Sequence, residues 1–327
     1  MASSFAIKAA VAAIAVAAAV TLPATSQARE WPTKPIRIVV GFGPGGGTDI
    51  VARILAPPLS EVLGQPVVIE NKPGAGGTVG ADVVAKSPND GYTALMMNSA
   101  QAVSEVMLKS LPFDAIKDFQ PVALFASASL VVVAGKDFPA KDIKEFVALA
   151  KAEPGKFSFA SLGIGSAQHF AGELFRQLSG IDIKHVLYEG TPQAIAAVRG
   201  NQTEVLFELV QTVLAPIKAA DLKPLGITAA VRWPTLPEVR TLQEQGIPGY
   251  DVTSWYGLAF PAGTPAAIVE KMNKAIYSVA SRTAVRKAVA DAGAIVNVSS
   301  PEDFGKFLAG EISKWRSVRD KAGINVQ

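Results

Sequence analysis

A glycine-rich loop between a strand pattern and a helix pattern constrains the fold of this chain most strongly. Residues 36–40 form a short apolar run typical of a buried strand, residues 43–49 have the sequence Gly-Pro-Gly-Gly-Gly-Thr-Asp, and apolar side chains then recur at helical spacing over residues 50–59. Glycine lets backbone N–H groups come close to a ligand, and a helix start carries unpaired N–H donors with a partial positive charge. The sequence therefore predicts an anion site at this junction.

The N-terminus indicates the compartment in which such a site would work. Lys8 precedes an unbroken apolar run over residues 9–20, and the small-x-small sequence of residues 26–28 follows. This layout is typical of a secretory signal that is cleaved near Ala28, and the run is shorter than the about 20 residues that span a bilayer. We therefore expect a periplasmic mature chain that begins near Arg29 and is not inserted in the membrane.

Composition limits the remaining possibilities. A chain of 327 residues has room for about two domains, each with its own core. The chain contains no cysteine, which excludes disulfides, thiolate metal sites and a cysteine nucleophile. Because the net charge is only +3 and the basic residues are scattered, no nucleic-acid partner is expected.

Strand and helix patterns alternate along the chain, which favours an α/β fold with a parallel sheet covered by helices. A second unit repeats the arrangement, with a strand over residues 157–160, a glycine loop over residues 161–166 and a helix over residues 167–178. If two such units face each other, two helix N-termini lie across one cleft. Within the first helix, Pro57 and Pro58 predict a break or kink.

The residue types that carry catalysis are sparse. The only two histidines are His169 and His185, and neither belongs to a cluster with metal-ligand spacing. Ser166 lies three residues before His169, but a helix cap explains this pair more simply than a nucleophile and its base. Asp49 suits a helix cap and a ligand-site role equally well. We therefore predict no catalytic residue, no metal and no cofactor.

A dinucleotide-binding enzyme is the less favoured alternative. Residues 41–46 satisfy the pattern Gly-x-Gly-x-x-Gly between a strand and a helix, and Glu70 ends the next strand, where a ribose-binding acid would lie. The export signal and the second glycine loop argue against this interpretation, because exported proteins rarely meet soluble NAD and a lone nucleotide fold needs only one such loop.

Several motifs together resemble one family. The sequence Phe-Gly-Pro-Gly-Gly-Gly-Thr-Asp-Ile-Val-Ala-Arg of residues 42–53 is similar to the first-loop motif of the solute-binding proteins of tripartite tricarboxylate transporters, the Bug or TctC family. The resemblance continues in order through the mature chain, at residues 70–77, 89–93, 117–122, 161–169, 255–257 and 261–265.

The resemblance implies a two-domain periplasmic binding protein of the type II-like clamshell kind, with a mixed, mostly parallel sheet in each domain. The implied division is a signal over residues 1–28, a first domain of residues 29–126 with 251–327, and a second of residues 127–250. The domains would close on a ligand by hinges near residues 125–129 and 249–253.

The resemblance also implies what is bound and by which residues. The ligand would be a small carboxylate, either a di- or tricarboxylate, an acidic amino acid or an aromatic acid, delivered by a monomer to the permease subunits of the transporter. A role in sensing for a signalling partner remains an alternative. The implied ligand-binding residues are Phe42, Gly46, Gly47, Thr48, Asp49, Asn98, Ser161, Gly163, Gly165, Ser166, His169 and Glu208.

Two departures from the family pattern leave the identity of the carboxylate open. The family often has proline where this chain has Gly41, and commonly aspartate where it has Glu208. If it faced the cleft, the longer side chain of Glu208 would shrink the pocket or reach further toward a ligand amine.

Overall fold

The fold alternates strands and helices, as the sequence predicts. A computed structural model describes residues 30–162, 166–188 and 190–326. The strands are β1 (Ile36–Val40), β2 (Val67–Asn71), β3 (Thr93–Asn98), β4 (Phe119–Gly135), β5 (Ser158–Ser161), β6 (Lys184–Leu187), β7 (Val205–Leu209), β8 (Leu222–Ile227), β9 (Thr253–Pro261) and β10 (Ala294–Val296). The helices are α1 (Gly47–Leu63), α2 (Thr78–Ala85), α3 (Ser99–Met107), α4 (Ile143–Ala152), α5 (Ala167–Ser179), α6 (Thr191–Arg199), α7 (Val210–Lys218), α8 (Ala266–Ala280), α9 (Thr283–Asp291) and α10 (Pro301–Ala322). The predicted signal over residues 1–28 lies outside the described residues.

The strands form a mixed sheet in the order β2-β1-β3-β9-β4-β7-β5-β6, with β8 and β10 paired to β4. Pairing is parallel at both ends of this order, where β1 lies between β2 and β3, and β5 lies between β6 and β7. The long strands β4 and β9 join the ends by antiparallel pairing. The predicted α/β fold with a mixed sheet is therefore confirmed. The expectation that the sheet is mostly parallel is wrong, because four of the strand pairings among the described residues are parallel and five are antiparallel. We call β1, β2, β3, β9 and β10 the first half of the sheet, and β5 to β8 the second half.

Strand β4 runs through both halves. The sequence suggests two short apolar runs here, but the structure has one strand of 17 residues whose register shifts twice where it pairs with β9. Its first part pairs with β9 and β10, and its last part pairs with β7 and β8. The returning chain crosses beside it, where Thr253 pairs with Ser129 and Val252 N donates to Thr228 O at 2.9 Å. These crossings lie within the segments predicted as hinges.

Of the two outcomes predicted for the first helix, a break or a kink, the break is wrong, because α1 continues through both prolines, and the kink stays a prediction. Leu55, Ala56 and Leu59 on one side of this region are buried in the core, whereas Pro57 is exposed. Burial of the apolar face offsets the roughly 3 kcal/mol cost of an interior proline. The first glycine loop is thus attached to a single helix of 17 residues.

The C-terminal helix α10 packs against one helix from each half of the fold. It contacts α3 and α5. Gln177 Nε2 on α5 donates to Val318 O at 2.9 Å, and Arg319 Nη1 on α10 donates to Val106 O at 2.6 Å on α3. The positions of α3 and α5, which flank the cavity described below, are therefore linked through α10.

In the described part of the chain, no helix is both long enough and apolar enough to cross a membrane.

Candidate ligand-binding site

A cavity of about 710 Å³ opens between the two halves of the fold. Its walls come from the first glycine loop, from α3 and from the start of α5. Its volume lies within the roughly 300–1,000 Å³ that small-molecule sites occupy. None of the described side chains that line it is charged. Any charge on a ligand must therefore be met by dipoles and hydrogen bonds.

Three helix N-termini converge on this cavity, one more than the sequence predicts. The residues that line it at these ends are Gly46, Gly47 and Thr48 of α1, Asn98, Ser99 and Ala100 of α3, and Ser166, Ala167 and Gln168 of α5. Helix N-termini bind anions because their first N–H groups lack partners inside the helix. The part of the cavity wall that these helix N-termini form therefore suits a carboxylate.

The N-terminus of α1 is the end with the most N–H groups left for a ligand. Its N-cap position is Gly46, and no described side chain caps it. By contrast, Asn98 Oδ1 accepts from Ala100 N at 2.8 Å in α3, and Ser166 Oγ accepts from His169 N at 3.1 Å in α5. A carboxylate at the start of α1 would thus supply the hydrogen bonds that a cap supplies elsewhere.

Asn98 connects the first loop to α3. Its Nδ2 donates to Thr48 Oγ1 at 2.7 Å, and its backbone N–H donates to Gln101 Oε1 at 2.8 Å in a capping box. Because the Thr48 hydroxyl accepts from Asn98, its own hydrogen can be donated to a ligand. Thr48 and Asn98 are both buried polar residues on the cavity wall, which fixes their orientation.

Asp49 lies behind the cavity wall rather than on it. Its carboxylate accepts hydrogen bonds of 2.9 Å from Gly45 N, Arg53 Nε and Asn71 Nδ2. Burial raises the pKa of the Asp49 carboxyl, but these hydrogen bonds together outweigh burial and lower it below its usual value. Asp49 therefore holds the glycine loop in shape as an ionised group. Direct ligand contact by Asp49 stays a prediction.

Glu208 also lies behind the wall, with 1% of its surface exposed. Its carboxyl accepts from Gln168 Nε2 at 3.1 Å, Thr191 Oγ1 at 2.9 Å and Leu209 N at 2.8 Å. Burial raises the pKa of this carboxyl. Because Gln168 and Leu209 line the cavity, Glu208 positions two lining residues, and its longer side chain does not take up cavity space.

The two histidines form a stacked pair beneath the start of α5. The ring centroids of His169 and His185 are 4.3 Å apart, and His185 Nε2 shares a 2.6 Å hydrogen bond with Ser161 Oγ. Burial, followed by the charges of His185 and Arg176, lowers the pKa of His169 to about 4. Burial and Arg176 also lower the pKa of His185. Both rings are therefore neutral at pH 7 and offer no positive charge to a ligand.

The low pKa of His169 predicts a loss of stability in mild acid. The unfolded chain takes up a proton near pH 6.5, whereas the folded chain resists it until about pH 4, so the free energy of unfolding falls across this range. At pH 4.5 the loss from this group is roughly 2–3 kcal/mol relative to pH 7.5. We expect urea denaturation to show that the wild type loses about this much more than His169→Gln.

Comparison of the wild type with His169→Gln separates the contribution of His169 to stability from the contributions of the other titrating groups. The raised pKa of Glu208 acts in the opposite direction and is common to both proteins. Parallel stability curves for the wild type and His169→Gln between pH 7.5 and 4.5 would show that His169 does not titrate in this way.

The structure distributes the twelve predicted site residues over three groups. Those that line the cavity are Phe42, Gly46, Gly47, Thr48, Asn98 and Ser166. Those outside its lining are Asp49, Ser161, His169 and Glu208. Gly163 and Gly165 lie outside the described residues, so their predicted role remains a prediction.

Sequence reasoning missed the wall that α3 forms. Val103, Met107 and Leu108 line the cavity, but helix α3 was not among the predicted elements. A signal was present, because Asn98 and Gln101 match the spacing of a capping box and precede apolar residues at helical spacing.

The features that suggested a dinucleotide site have structural roles here. A β-carbon on Gly41 would lie 2.7 Å from Gly77 O, and one on Gly80 would lie 2.7 Å from Gly41 Cα, so these glycines let the two loops pack together. Glu70 forms ion pairs with Arg37 at 2.9 Å and Lys72 at 2.7 Å. Gly41 of the pattern therefore serves packing, and Glu70 is held by two cations at the surface of the sheet instead of by a ribose.

Comparison with known proteins decides the family. Residues 51–324 match the family described as "Tripartite tricarboxylate transporter family receptor", TctC. The chain belongs to this family. The resemblance inferred from the motifs is therefore confirmed, and the family consists of solute-binding proteins.

In the described part of the chain, no group of three or more metal-ligating side chains could hold a metal ion.

Individual members of the TctC family are similar over nearly their whole length. Protein BugT of Bordetella pertussis is 34% identical over 308 residues, which cover 94% of each chain. Rpa4515 of R. palustris, solved with adipate, is 30% identical with a TM-score of 0.81 and covers 90% of this chain and 99% of its own. MatC of Rhodopseudomonas palustris, solved with bound malate, is 32% identical with a TM-score of 0.76 and covers 88% of this chain and 99% of its own.

Proposed function

We propose that this TctC-family chain is an exported, non-enzymatic protein that captures a small carboxylate in the 710 Å³ cavity and delivers it to permease subunits. The uncapped N-terminus of α1 carries the proposal, because Gly46, Gly47 and Thr48 line a cavity in which no described side chain is charged. Backbone N–H groups there can neutralise a carboxylate without a buried arginine.

The solved family members support this ligand class. Adipate and malate, the ligands named for Rpa4515 and MatC, are both carboxylates. The signal pattern of residues 1–28 and the family's periplasmic members, which include BugD, support a periplasmic location for the mature chain. The family's description as a transporter receptor supports delivery to a permease.

Ligand capture would be accompanied by domain closure. The proposed domains are residues 29–126 with 251–327 and residues 127–250, which meet where β4 and the chain before β9 cross between the halves. Gln211 of α7 reaches across, and its Nε2 donates to Tyr256 OH at 3.3 Å beside the first glycine loop. A ligand bound to α1 and α5 at once would favour the closed arrangement.

A thermal-shift screen against a library of small carboxylates tests the proposal. We expect at least one carboxylate to raise the melting temperature, because a ligand that binds only the folded state stabilises it by mass action. No shift with any carboxylate would overturn the proposal, and a shift from NAD in its place would favour a dinucleotide-binding protein. For delivery, we expect permease subunits to co-purify with the chain, whereas a sensor kinase in their place would favour a sensing role.

A further inference from the structure

Helix α3 lines the cavity over its whole length. Ser99 and Ala100 at its N-terminus and Met107 and Leu108 at its C-terminus all contribute to the wall. At 1.5 Å per residue, nine residues span about 13 Å. The cavity is therefore long enough along this helix for a carboxylate followed by a chain of several carbon atoms.

The two ends of α3 differ in polarity. At its N-terminus lie Asn98, Thr48 and the start of α1, which together offer hydrogen-bond donors. At its C-terminus, Val103 and Met107 present buried apolar side chains, and the half-buried Leu108 is the C-cap. Ser104 also lines the cavity here, but its hydroxyl donates to Gln101 O of the same helix at 3.2 Å. The backbone carbonyls at a helix C-terminus carry a partial negative charge.

A second carboxylate would be poorly placed at this apolar end. It would lose its water without gaining a cation, because no described side chain on the wall is charged, and it would face the negative end of α3. Lys109 follows Leu108 in the chain, but it is exposed and does not line the cavity.

We propose that the ligand carries a single carboxylate, held at the start of α1, and an aliphatic or aromatic body that extends along α3 to Met107 and Leu108. The proposal rests on the proposed function and narrows its ligand class. It sets this chain apart from the R. palustris relative solved with adipate, a dicarboxylate.

Matched acids of equal carbon number test this selectivity by calorimetry. Hexanoate is compared with adipate, and octanoate with octanedioate. We expect each monocarboxylate to bind at least about tenfold more tightly than its dicarboxylate, because burying an unpaired charge costs more than burying an unpaired neutral polar group. If the dicarboxylates bind as tightly as the monocarboxylates or more tightly, the inference is overturned and carboxylate capture stays intact. The same holds if malate is the one acid that binds. No binding by any carboxylate in the screen overturns both.

Variants at the end of α3 locate the selectivity. Leu108→Lys places a cation at a helix C-terminus, which the helix dipole favours, and we expect it to tighten adipate and octanedioate binding about tenfold. Lys109→Ala is the control, because Lys109 is exposed and does not line the cavity, and it should retain the wild-type preference. If Leu108→Lys leaves the ratio of the two acids unchanged, or if Lys109→Ala changes it, the ligand body does not follow α3 as proposed.

Discussion

Replacing Gly47 with valine is expected to abolish carboxylate binding while the chain still folds. A β-carbon at this position would lie 2.5 Å from Gln211 Nε2 and 2.7 Å from the hydroxyl of Tyr256. The Gln211 side chain can move away, whereas Tyr256 is buried, so we expect the first loop to shift locally while the rest of the fold is kept. A branched side chain there would cover the start of α1. We expect at least a 100-fold loss of affinity, because two hydrogen bonds to a charged group contribute roughly 3–6 kcal/mol.

Gly46→Ala is the matched control for this prediction. Gly46 also lines the cavity, but its backbone is extended (φ −75°, ψ 163°), and an added β-carbon would meet only Gly43 O at 3.6 Å. Calorimetry should find its affinity within about threefold of the wild type. Far-UV circular dichroism and the melting temperature of both variants report folding. Unchanged affinity in Gly47→Val would mean that the first loop does not hold the carboxylate.

The strand-loop-helix junctions could be predicted because their signals are local. Residues 36–40 and 43–49 combine an apolar run, glycines and helical spacing within one short stretch, and the structure places β1 and α1 there. The break at Pro57 could not be judged in this way. Whether an interior proline ends a helix depends on the packing of Leu55 and Leu59 against distant elements, which the local sequence does not contain.

Strand β4 illustrates a second limit of local patterns. Its residues pair with four different strands, so its length of 17 residues is set by long-range pairing. The two short apolar runs within β4 are equally compatible with two separate strands, so the local pattern does not show that they belong to one strand. The mixed sheet likewise depends on β9 returning antiparallel between β3 and β4, which alternation of strands and helices does not specify.

Within the predicted site, position along the chain was easier to predict than side-chain direction. Thr48 lines the cavity, but the next residue, Asp49, turns into the protein towards Arg53 and Asn71. Successive residues of a helix differ by about 100° in direction, so adjacent residues need not share a surface. Glu208 similarly faces Thr191 and Gln168 from behind the wall. These supporting roles emerge only when several segments meet.

Replacing Asn98 with aspartate is expected to weaken carboxylate binding by about two orders of magnitude without destabilising the fold. The change keeps the oxygen that accepts from Ala100 N, and aspartate is a favourable N-cap residue. However, it adds a negative charge on the cavity wall and removes the donor to Thr48 Oγ1, whose hydroxyl would then donate to the new carboxylate and not to the ligand. Two like charges about 5 Å apart repel by roughly 3 kcal/mol at an effective dielectric constant of 20.

Asn98→Ser separates the effect of charge from the loss of the amide. Serine is neutral and still caps α3, but it does not reproduce the amide donor to Thr48. We therefore expect a loss of affinity below about tenfold, which corresponds to one hydrogen bond. Calorimetry should rank wild type, Asn98→Ser and Asn98→Asp in order of falling affinity, with melting temperatures close together. Because the predicted repulsion acts only on an anion at this wall, an Asn98→Asp affinity within threefold of the wild type would place the ligand carboxylate away from the start of α3.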